Sequence, residues 1–462
     1  MSFLPKKKKE TSPVSPLNRR RASWSELWVN HHTHHLLSSP PPPQIPKSDS
    51  CQKTDLTLLL PDLTLLAIIS KVPSPHRKTL SLVCQRWLRL HGGLVRTVKV
   101  SDWRFLESGR LVTRFPNLDN VDLVTVGGLV SFTVGGVGSS YYQSLSFIEE
   151  EERLSLSVDE VDRGLRALAS GCSNLRRLAV GNASELGLLS VAEACTRLQE
   201  LELHNCSDSV LLGVGAFENL QILRLVGSGL VSDIGLMILA QGCRRLVKLE
   251  LVGCGGGFDG VREIGECCQM LEEFAVCDHK MEAGWVGGLG YCENLKTLKL
   301  VSCKKIDHGL GLGLGECLSR SCPALERLHL EKCQLRDKST VKDLFKMCEA
   351  AREVVFQDCW GLDDDIFNLA MAFGRVKLLY LEGCSLLTTS GLESVILHWH
   401  ELEHLKVVSC KNVKDSEISP LLSALFSDLV ELQWRPDTRS HLWLNLTDSG
   451  IGNRGGKFFK KT

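Results

Sequence analysis

A nine-residue pattern recurs along most of this 462-residue chain and constrains its fold more than any other feature. Written L-x-x-L-x-L-x-x-C/N, it fits residues 198–206, 246–254, 295–303, 325–333 and 402–410. Looser copies start at Leu175, Leu220, Leu271, Ala351, Val376 and Leu429. Ten intervals therefore cover residues 175 to 429, an average of about 25 residues. Apolar and polar residues alternate inside the pattern, so each copy predicts a short strand with one buried face.

The residues between two copies predict a helix. After Val231, either Ser232 or Asp233 can cap a helix, and apolar residues then follow at helical spacing from Leu236 to Cys243. Each unit is therefore a strand, a turn, a helix and a return, and a period near 25 residues is that of leucine-rich repeats. A single unit cannot bury its apolar face, whereas stacked units share one core. The sequence predicts an α/β leucine-rich-repeat solenoid, a horseshoe with parallel strands on its concave face and helices on its convex face.

The cysteines follow the same period. Fourteen of the 19 cysteines occupy two fixed positions of the repeat. Those at the ninth position of the pattern are Cys206, Cys254, Cys303, Cys333, Cys359, Cys384 and Cys410. Those three residues before the pattern are Cys172, Cys195, Cys243, Cys268, Cys292, Cys322 and Cys348. A small apolar side chain with a weak S–H donor suits a crowded turn, so we expect structural, reduced thiols and no metal site.

Composition shifts divide the chain into four parts. Residues 1–54, rich in basic residues and proline, are expected to form a disordered arm, and residues 55–92 a helical module. The solenoid is expected over residues 93–440, where weaker copies at 95–100 and 118–123 precede an inserted loop at about 127–152. Residues 441–462 form a tail.

The helical module contains Pro61 at a first helical turn, a broad apolar face, and Pro73 and Pro75 where that helix should end. A second helical run is predicted from Leu80 to Leu88. Apolar residues on more than one side of so small a module indicate a partner surface.

The residues "LP…LL…I…SLVCQRW" resemble the F-box, and an F-box followed by cysteine-containing repeats is similar to plant F-box/leucine-rich-repeat proteins. The resemblance implies binding to a Skp-type adaptor and, through it, to a cullin–RING ubiquitin ligase. The positions that match the family's adaptor-facing or module-forming motif, and that the resemblance therefore assigns to adaptor binding, are Leu60, Pro61, Leu65, Ile68, Leu82, Val83, Cys84 and Trp87. The sequence departs from the family at Leu63, Thr64 and Ala67, where an acidic, an apolar and an acidic residue are usual.

The resemblance therefore implies a non-catalytic substrate receptor: the F-box holds the ligase and the concave face of the repeats binds a target protein. One alternative is a repeat scaffold that binds proteins without a ligase. Another is that the helical module is only a cap that shields the first repeat.

Two motifs suggest enzyme chemistry. Gly255, Gly257 and Gly260 match the dinucleotide pattern G-x-G-x-x-G between a predicted strand and helix. They also coincide with the turn between strand and helix of one repeat, and no acidic residue ends a second strand about 20 positions on, so we interpret them as a repeat turn.

His400 and His404 match H-E-x-x-H, the zinc-protease motif, but the pattern puts His404 in a strand, where a spacing of four does not align two zinc ligands. No cofactor is expected.

Positions three, five and seven of the pattern should point toward the concave face. In the eleven copies they carry basic and acidic residues in near balance, and the whole chain has a formal net charge of +0, which argues against a nucleic-acid track. We expect a protein segment as ligand. The candidate target-binding residues are Arg224, Lys248, Lys299, Arg327, His329, Tyr380, His404 and Lys406.

Localisation is an expectation from the N-terminal arm. Residues 6–9 and 19–21 form two basic clusters that are either a nuclear localisation signal or a solvated tail. No apolar run follows the first basic cluster as in a secretory signal, and no window resembles a membrane span, so we expect a nuclear or cytoplasmic protein with neither membrane nor nucleic acid as a partner.

Overall fold

The computed structural model describes residues 55–73, 76–100, 102–124, 142–145, 156–281, 284–304 and 321–437. Within these residues fourteen strands form one sheet, and every neighbouring pair is parallel. The strands are β1 (Thr97–Val100), β2 (Asn120–Asp122), β3 (Tyr142–Leu145), β4 (Arg177–Gly181), β5 (Glu200–His204), β6 (Ile222–Val226), β7 (Lys248–Val252), β8 (Glu273–Cys277), β9 (Thr297–Val301), β10 (Arg327–Glu331), β11 (Glu353–Gln357), β12 (Leu378–Glu382), β13 (His404–Val408) and β14 (Glu431–Arg435).

Each of the eleven copies of the pattern contributes the strand predicted for it, from β4 to β14. Residues alternate along most of these strands between half-exposed and buried, as at Glu200–His204. The sequence order of the strands is also their spatial order from β4 to β14, which is the arrangement of a stacked repeat array. The predicted α/β leucine-rich-repeat solenoid is therefore the observed fold.

Helices return the chain between strands. After β1 come α4 (Trp103–Glu107) and α5 (Arg110–Arg114). The later repeats contain α6 (Val158–Ala169), α7 (Glu185–Ala194), α8 (Asp208–Val214), α9 (Asp233–Gly242), α10 (Phe258–Cys267), α11 (Trp285–Leu289), α12 (Lys338–Met347), α13 (Asp364–Phe367), α14 (Thr389–Ile396) and α15 (Pro420–Asp428). One continuous core extends from Val95 to Trp434 between the strands and these helices.

The eighth position of the pattern has a backbone requirement that the sequence analysis did not identify. In ten successive repeats this residue has a positive φ between 49° and 65°. These residues are Asn182, Asn205, Gly227, Gly253, Asp278, Ser302, Lys332, Asp358, Gly383 and Ser409. Their amides donate to the last strand residue of the next repeat, as Gly227 does to Val252 at 2.8 Å. Each strand from β4 to β13 is therefore followed by a left-handed residue, a conformation that Asn, Asp and Gly adopt at the least cost.

The cysteines occupy the interior expected for them. The described cysteines are all free, and the fourteen at the two repeat positions are all buried. Their thiols donate mostly to carbonyls of the preceding repeat, for example Cys359 to Leu330 at 3.2 Å and Cys195 to Cys172 at 3.2 Å. These weak hydrogen bonds go to carbonyl oxygens near the end of a strand for the first set of cysteines and near the end of a helix for the second.

The helical module comprises α1 (Asp62–Lys71), α2 (Arg77–Leu80) and α3 (Gln85–Leu94). Leu65, Ile69 and Leu80 form its small core, against which Trp87 packs. The predicted second helical run is wrong: a turn separates α2 from α3 because Cys84 is extended, with φ −163° and ψ 171°. Residues 56–59 form a separate 3₁₀ turn, which the side chain of Asp55 caps.

Two predicted boundaries change. Helix α3 continues to Leu94, two residues beyond the predicted end of the module, and the array begins at Thr97. Within the predicted loop at 127–152, residues 142–145 form β3, which pairs with β1 at the edge of the sheet. The other residues of that segment, the predicted arm at 1–54 and the predicted tail at 441–462 lie outside the described residues.

Candidate functional site

The open face of the sheet is formed by the first, third and fifth residues of the strands from β4 to β14, which are the positions expected to carry target-binding residues. Here Glu202 accepts contacts from three sides: His204 at 2.8 Å, Arg224 at 3.4 Å and Arg177 at 3.6 Å. Arg224 also lies 3.1 Å from Glu250. Burial acts to raise the pKa of Glu202, but the hydrogen bond from His204 and the neighbouring arginines outweigh it, so the pKa is lowered.

Opposite charges pair along much of this face. Lys248 lies 2.8 Å from Glu273, and Arg327 lies 3.0 Å from Glu353. Because the protein already neutralises these cations, a ligand anion would have to compete with their internal partners. Four of the eight candidate residues are in such contacts: Arg224, Lys248, Lys299 and Arg327.

Lys299 and His329 are brought together by register, since they are paired residues of β9 and β10. Glu331 lies 3.8 Å from Lys299 and 3.7 Å from His329. Burial lowers the pKa of His329, and the positive charge of Lys299 lowers it further, although Glu331 acts in the opposite direction. The ring is therefore neutral at neutral pH.

The other three candidate residues lie on β12 and β13. Lys406 is the register partner of Tyr380, and its ammonium lies 4.1 Å from the centre of the Tyr380 ring. The Tyr380 hydroxyl donates to Glu382, which also accepts from the Gln357 amide at 3.0 Å. Burial and the carboxylate of Glu382 raise the pKa of Tyr380. Among the described residues Lys406 has no carboxylate within ion-pair distance, so it is held by the aromatic ring and its charge remains available.

Apolar residues missed by the sequence analysis surround this aromatic–cation pair. Val355 and Leu378 stand at outward strand positions and are half-buried. Val355 pairs in register with Tyr380, and Leu378 pairs with His404, whose Nδ1 is buried without a hydrogen-bond partner among the described residues. A signal was present in the sequence, because apolar residues at outward positions break the alternation of a strand. We call Val355, Leu378, Tyr380, His404 and Lys406 the C-terminal patch.

An exposed tryptophan lies after β11. Trp360 is 61% exposed and follows the ninth-position Cys359 in the turn. Its backbone forms an isolated parallel bridge with Gln334 of the preceding repeat. A large apolar side chain kept in solvent is a typical anchor of a protein interface, and only its position in the turn could have indicated it from sequence.

The helical module exposes several of its predicted adaptor-binding residues. Leu82 and Val83, in the turn between α2 and α3, are 62% and 58% exposed, and Ile68 is 47% exposed. Pro61 and Cys84 are also exposed, and Leu60 is half-buried. Leu65, by contrast, is 1% exposed, so its prediction as a contact residue is wrong. Its side chain packs in the core of the module, and Trp87 is half-buried against that core.

The glycine-rich segment is a repeat turn. It lies between β7 and α10, and the amides of Gly257 and Gly260 donate to Asp233 Oδ1 at 2.6 and 2.9 Å. A side-chain carboxylate of the preceding repeat thus occupies the position that a phosphate takes at the helix N-terminus of a dinucleotide site. At Gly255 a Cβ would lie 2.3 Å from the Val231 carbonyl, so packing between repeats requires the missing side chain.

The zinc-protease motif is also not assembled. His404 is the first residue of β13, whereas His400 lies in the exposed turn after α14. The two residues therefore share no helix face. Across the described ranges, no cluster of three or more His, Cys, Asp or Glu residues could hold a metal ion. None of the helices in those ranges has the length and apolar character needed to cross a membrane.

Comparison with known proteins gives a structural neighbour of low identity. No family model matches the sequence. Among solved structures, an internalin (inlF) from Listeria monocytogenes str. 4b F2365 is similar over 81% of this chain and 95% of its own, with 16% identity and a TM-score of 0.43. The leucine-rich-repeat fold of this chain is established by its own strand register and repeat period.

Proposed function

We propose that this chain is the substrate-recognition subunit of a cullin–RING ubiquitin ligase of the SCF type, in which the helical module binds a Skp-type adaptor and the open sheet face binds a target protein. The observation that carries the proposal is the exposed apolar turn at Leu82 and Val83, on a module whose small core is already complete without them. Exposed apolar residues on a stable scaffold are typical of a protein interface.

The division of the chain into a module and an array supports the same function. The open sheet face offers a long surface of mixed charge, and the C-terminal patch adds an aromatic ring, aliphatic side chains and a cation that has no carboxylate partner among the described residues. Such a surface suits a protein segment better than a small polar substrate. The chain itself would catalyse nothing; it would raise the effective concentration of target lysines near the ligase.

The first experiment tests the adaptor. The full chain is co-expressed with a Skp-type adaptor, and the adaptor that co-purifies is quantified. Replacing Leu82 and Val83 together with Asp should reduce the co-purified adaptor by about tenfold or more, because charged residues would be buried at the interface. The matched control replaces Leu230 and Leu421, exposed leucines of the array at 79% and 65%, with Asp and should leave binding unchanged. If wild type recovers no adaptor, or the double variant binds as well as wild type, the chain is instead a repeat scaffold without a ligase.

The second experiment identifies the target surface. The Leu82→Asp, Val83→Asp protein would retain targets without sending them for degradation, so its pull-down is compared with that of the same protein carrying Tyr380→Ala and Lys406→Glu. Targets of the C-terminal patch should be lost from the second sample. The matched control is Lys296→Ala, which removes a lysine that lies just before β9 and is paired with Glu272 at 2.8 Å, and this variant should keep them. Retention of every target by the Tyr380 and Lys406 variant would exclude the patch as the target site.

A further inference from the structure

A cleft of about 420 Å³ lies where the last helix of the module meets the first repeat. Helix α3 forms one wall, and α4 and α5 form the other. The residues that line it are Gln85, Leu88, Arg89, Phe105, Ser108, Arg110, Thr113, Arg114 and Pro116. Its volume is within the range of small-molecule sites in proteins. None of these residues belongs to the set that the F-box resemblance assigns to adaptor binding.

The charge of the cleft is one-sided. Arg89, Arg110 and Arg114 line it, and of the described residues in its wall none is acidic. Of these, Arg89 is already paired, because its guanidinium lies 3.1 Å from the Asp62 carboxylate, which also lies 2.6 Å from Arg86 outside the lining. Arg110 and Arg114 have no carboxylate within ion-pair distance among the described residues, so their charges repel each other across the cleft, and a bound anion would relieve that repulsion.

Arg114 is fixed in position before any ligand arrives. Its Nη1 donates to the Leu88 carbonyl at 2.6 Å and its Nη2 to the Ser81 hydroxyl at 3.1 Å. Its guanidinium also lies 4.8 Å from the centre of the Phe115 ring. Burial lowers the pKa of Arg114, which reflects the cost of holding its charge away from water. Neutral oxygens and an aromatic face share this charge but do not neutralise it.

The remaining wall is apolar. Leu88, Phe105 and Pro116 offer an aliphatic chain, an aromatic ring and a pyrrolidine ring, while Gln85, Ser108 and Thr113 add uncharged donors and acceptors. An inorganic ion would leave this apolar part unfilled. A ligand with a flat or branched apolar body and an acidic group would fill both parts.

We propose that this cleft binds a small organic anion, with its carboxylate, phosphate or sulfonate group facing Arg110 and Arg114 and its apolar body against Leu88, Phe105 and Pro116. The ligand would contact α3 on one side and α4 and α5 on the other. It would therefore link the module to the first repeat. The inference is independent of whether the module binds an adaptor, because the cleft uses other residues.

The test uses the full chain and three probes measured by isothermal titration calorimetry: naphthalene-2-sulfonate, its neutral isostere naphthalene-2-sulfonamide, and methanesulfonate. The first has both an anion and an apolar body, and each of the others lacks one of these features. We expect naphthalene-2-sulfonate to bind at least about tenfold more tightly than either, since a charge-assisted contact adds to apolar burial. Binding should weaken as salt is raised.

Variants locate the site. Arg110→Ala should weaken naphthalene-2-sulfonate about tenfold, because Arg110 lines the cleft and is exposed. Arg104→Ala, an exposed arginine of α4 outside the lining, is the matched control and should bind as wild type does. Thr113→Trp should block the cleft by bulk and abolish binding, with folding checked by circular dichroism.

The neutral probe also detects non-specific binding to exposed leucines elsewhere on the chain. Three results would overturn the proposal. The first is equal affinity for the sulfonate and the sulfonamide, and the second is an unchanged affinity for the sulfonate in Arg110→Ala. The third is no binding of the sulfonate at 1 mM, which is about the weakest affinity that a formed site of this size should show. The proposal would also be overturned if Arg104→Ala weakened sulfonate binding as much as Arg110→Ala does, since that result would show only a general effect of surface charge.

Discussion

The carboxylate of Asp364 binds Thr388 of the following repeat twice, through the Thr388 amide at 2.8 Å and its hydroxyl at 2.6 Å. Asp208 binds Ser232 in the same two ways, at 2.8 and 2.5 Å. Thr388 is in turn the N-cap of α14. An acidic side chain near the start of one helix therefore fixes the start of the next helix, which adds a polar link between repeats to the apolar core.

Asp364→Ala should lower the free energy of unfolding by about 1–3 kcal/mol, because the Thr388 amide and hydroxyl lose their charged acceptor in a half-buried place. Urea denaturation followed by circular dichroism measures the change. Asp365→Ala is the matched control in the same helical turn, since its side chain is 78% exposed and its ion pair with Lys338 lies at the surface. Equal losses in the two variants would show that the effect comes from helix charge and not from the link.

Gly391→Ala should be destabilising because the new Cβ would lie 2.1 Å from Asp364 Oδ1 and 2.8 Å from Asp364 Cβ. The expected loss is about 1–3 kcal/mol, measured by urea denaturation. Gly374→Ala, where a Cβ would meet nothing within 4 Å, should change stability by no more than about 0.5 kcal/mol. In a protein that already carries Asp364→Ala, Gly391→Ala should lower the free energy of unfolding by a smaller amount. Purely additive losses in the double variant would argue against a direct clash.

Ser409→Gly should stabilise the protein by up to about 1 kcal/mol, since Ser409 has φ 56° and glycine adopts that conformation without a Cβ penalty. The reverse change at the equivalent position, Gly383→Ala, should be destabilising, because φ is 65° and the Cβ would lie close to the Asp358 side chain. Thermal unfolding monitored by calorimetry measures both. A loss of stability in Ser409→Gly would mean that the serine side chain contributes more than the backbone strain costs.

The buried thiols should make stability fall at alkaline pH. Burial raises the pKa of Cys243, Cys254, Cys268 and Cys322 from 9.0 to about 12. Below pH 9.0 these thiols are protonated in both the folded and the unfolded chain. Above it the unfolded chain ionises first, so the free energy of unfolding should decline progressively as pH rises from 9.0 toward about 12.

Urea denaturation at pH 8 and pH 10 checks the sign of this change. Iodoacetamide labelling of the native protein, read by peptide mass spectrometry, provides an independent measurement. The exposed Cys84 should be labelled quickly, whereas the fourteen buried repeat cysteines should be labelled only in denaturant. Fast native labelling at Cys243 or Cys254 would contradict the burial on which the pH dependence rests.

The repeat strands could be predicted from sequence because each carries its own alternation and a cysteine at a fixed distance. The glycine segment at residues 255–260 could be assigned to a turn for the same reason, because the repeat period places it between a predicted strand and the helix that follows. These patterns are local and recur in every repeat, so each copy supports the same assignment of strand, turn and helix. The strand β3 has no such support, because it pairs with β1 by a register that no periodicity specifies.

The functional residues were harder to predict, because their environment depends on neighbouring strands. The sequence places Arg224 and Lys406 at equivalent outward positions. In the structure Arg224 lies between two carboxylates while Lys406 lies over an aromatic ring. Leu65 shows the same limit: its motif position suggested a contact residue, yet the fold of a short module buries it. Side-chain pairing and the packing of a small core are three-dimensional properties.

The links from Asp162 to Ser184, Asp208 to Ser232, Asp233 to Gly257 and Asp364 to Thr388 all run in one direction along the chain. A truncation from the C-terminus therefore leaves the helix starts of the remaining repeats complete. A truncation from the N-terminus removes the carboxylate on which the first remaining helix depends. During synthesis, each new repeat leaves the ribosome after the neighbour that completes it, so the array can grow in the order in which it is translated.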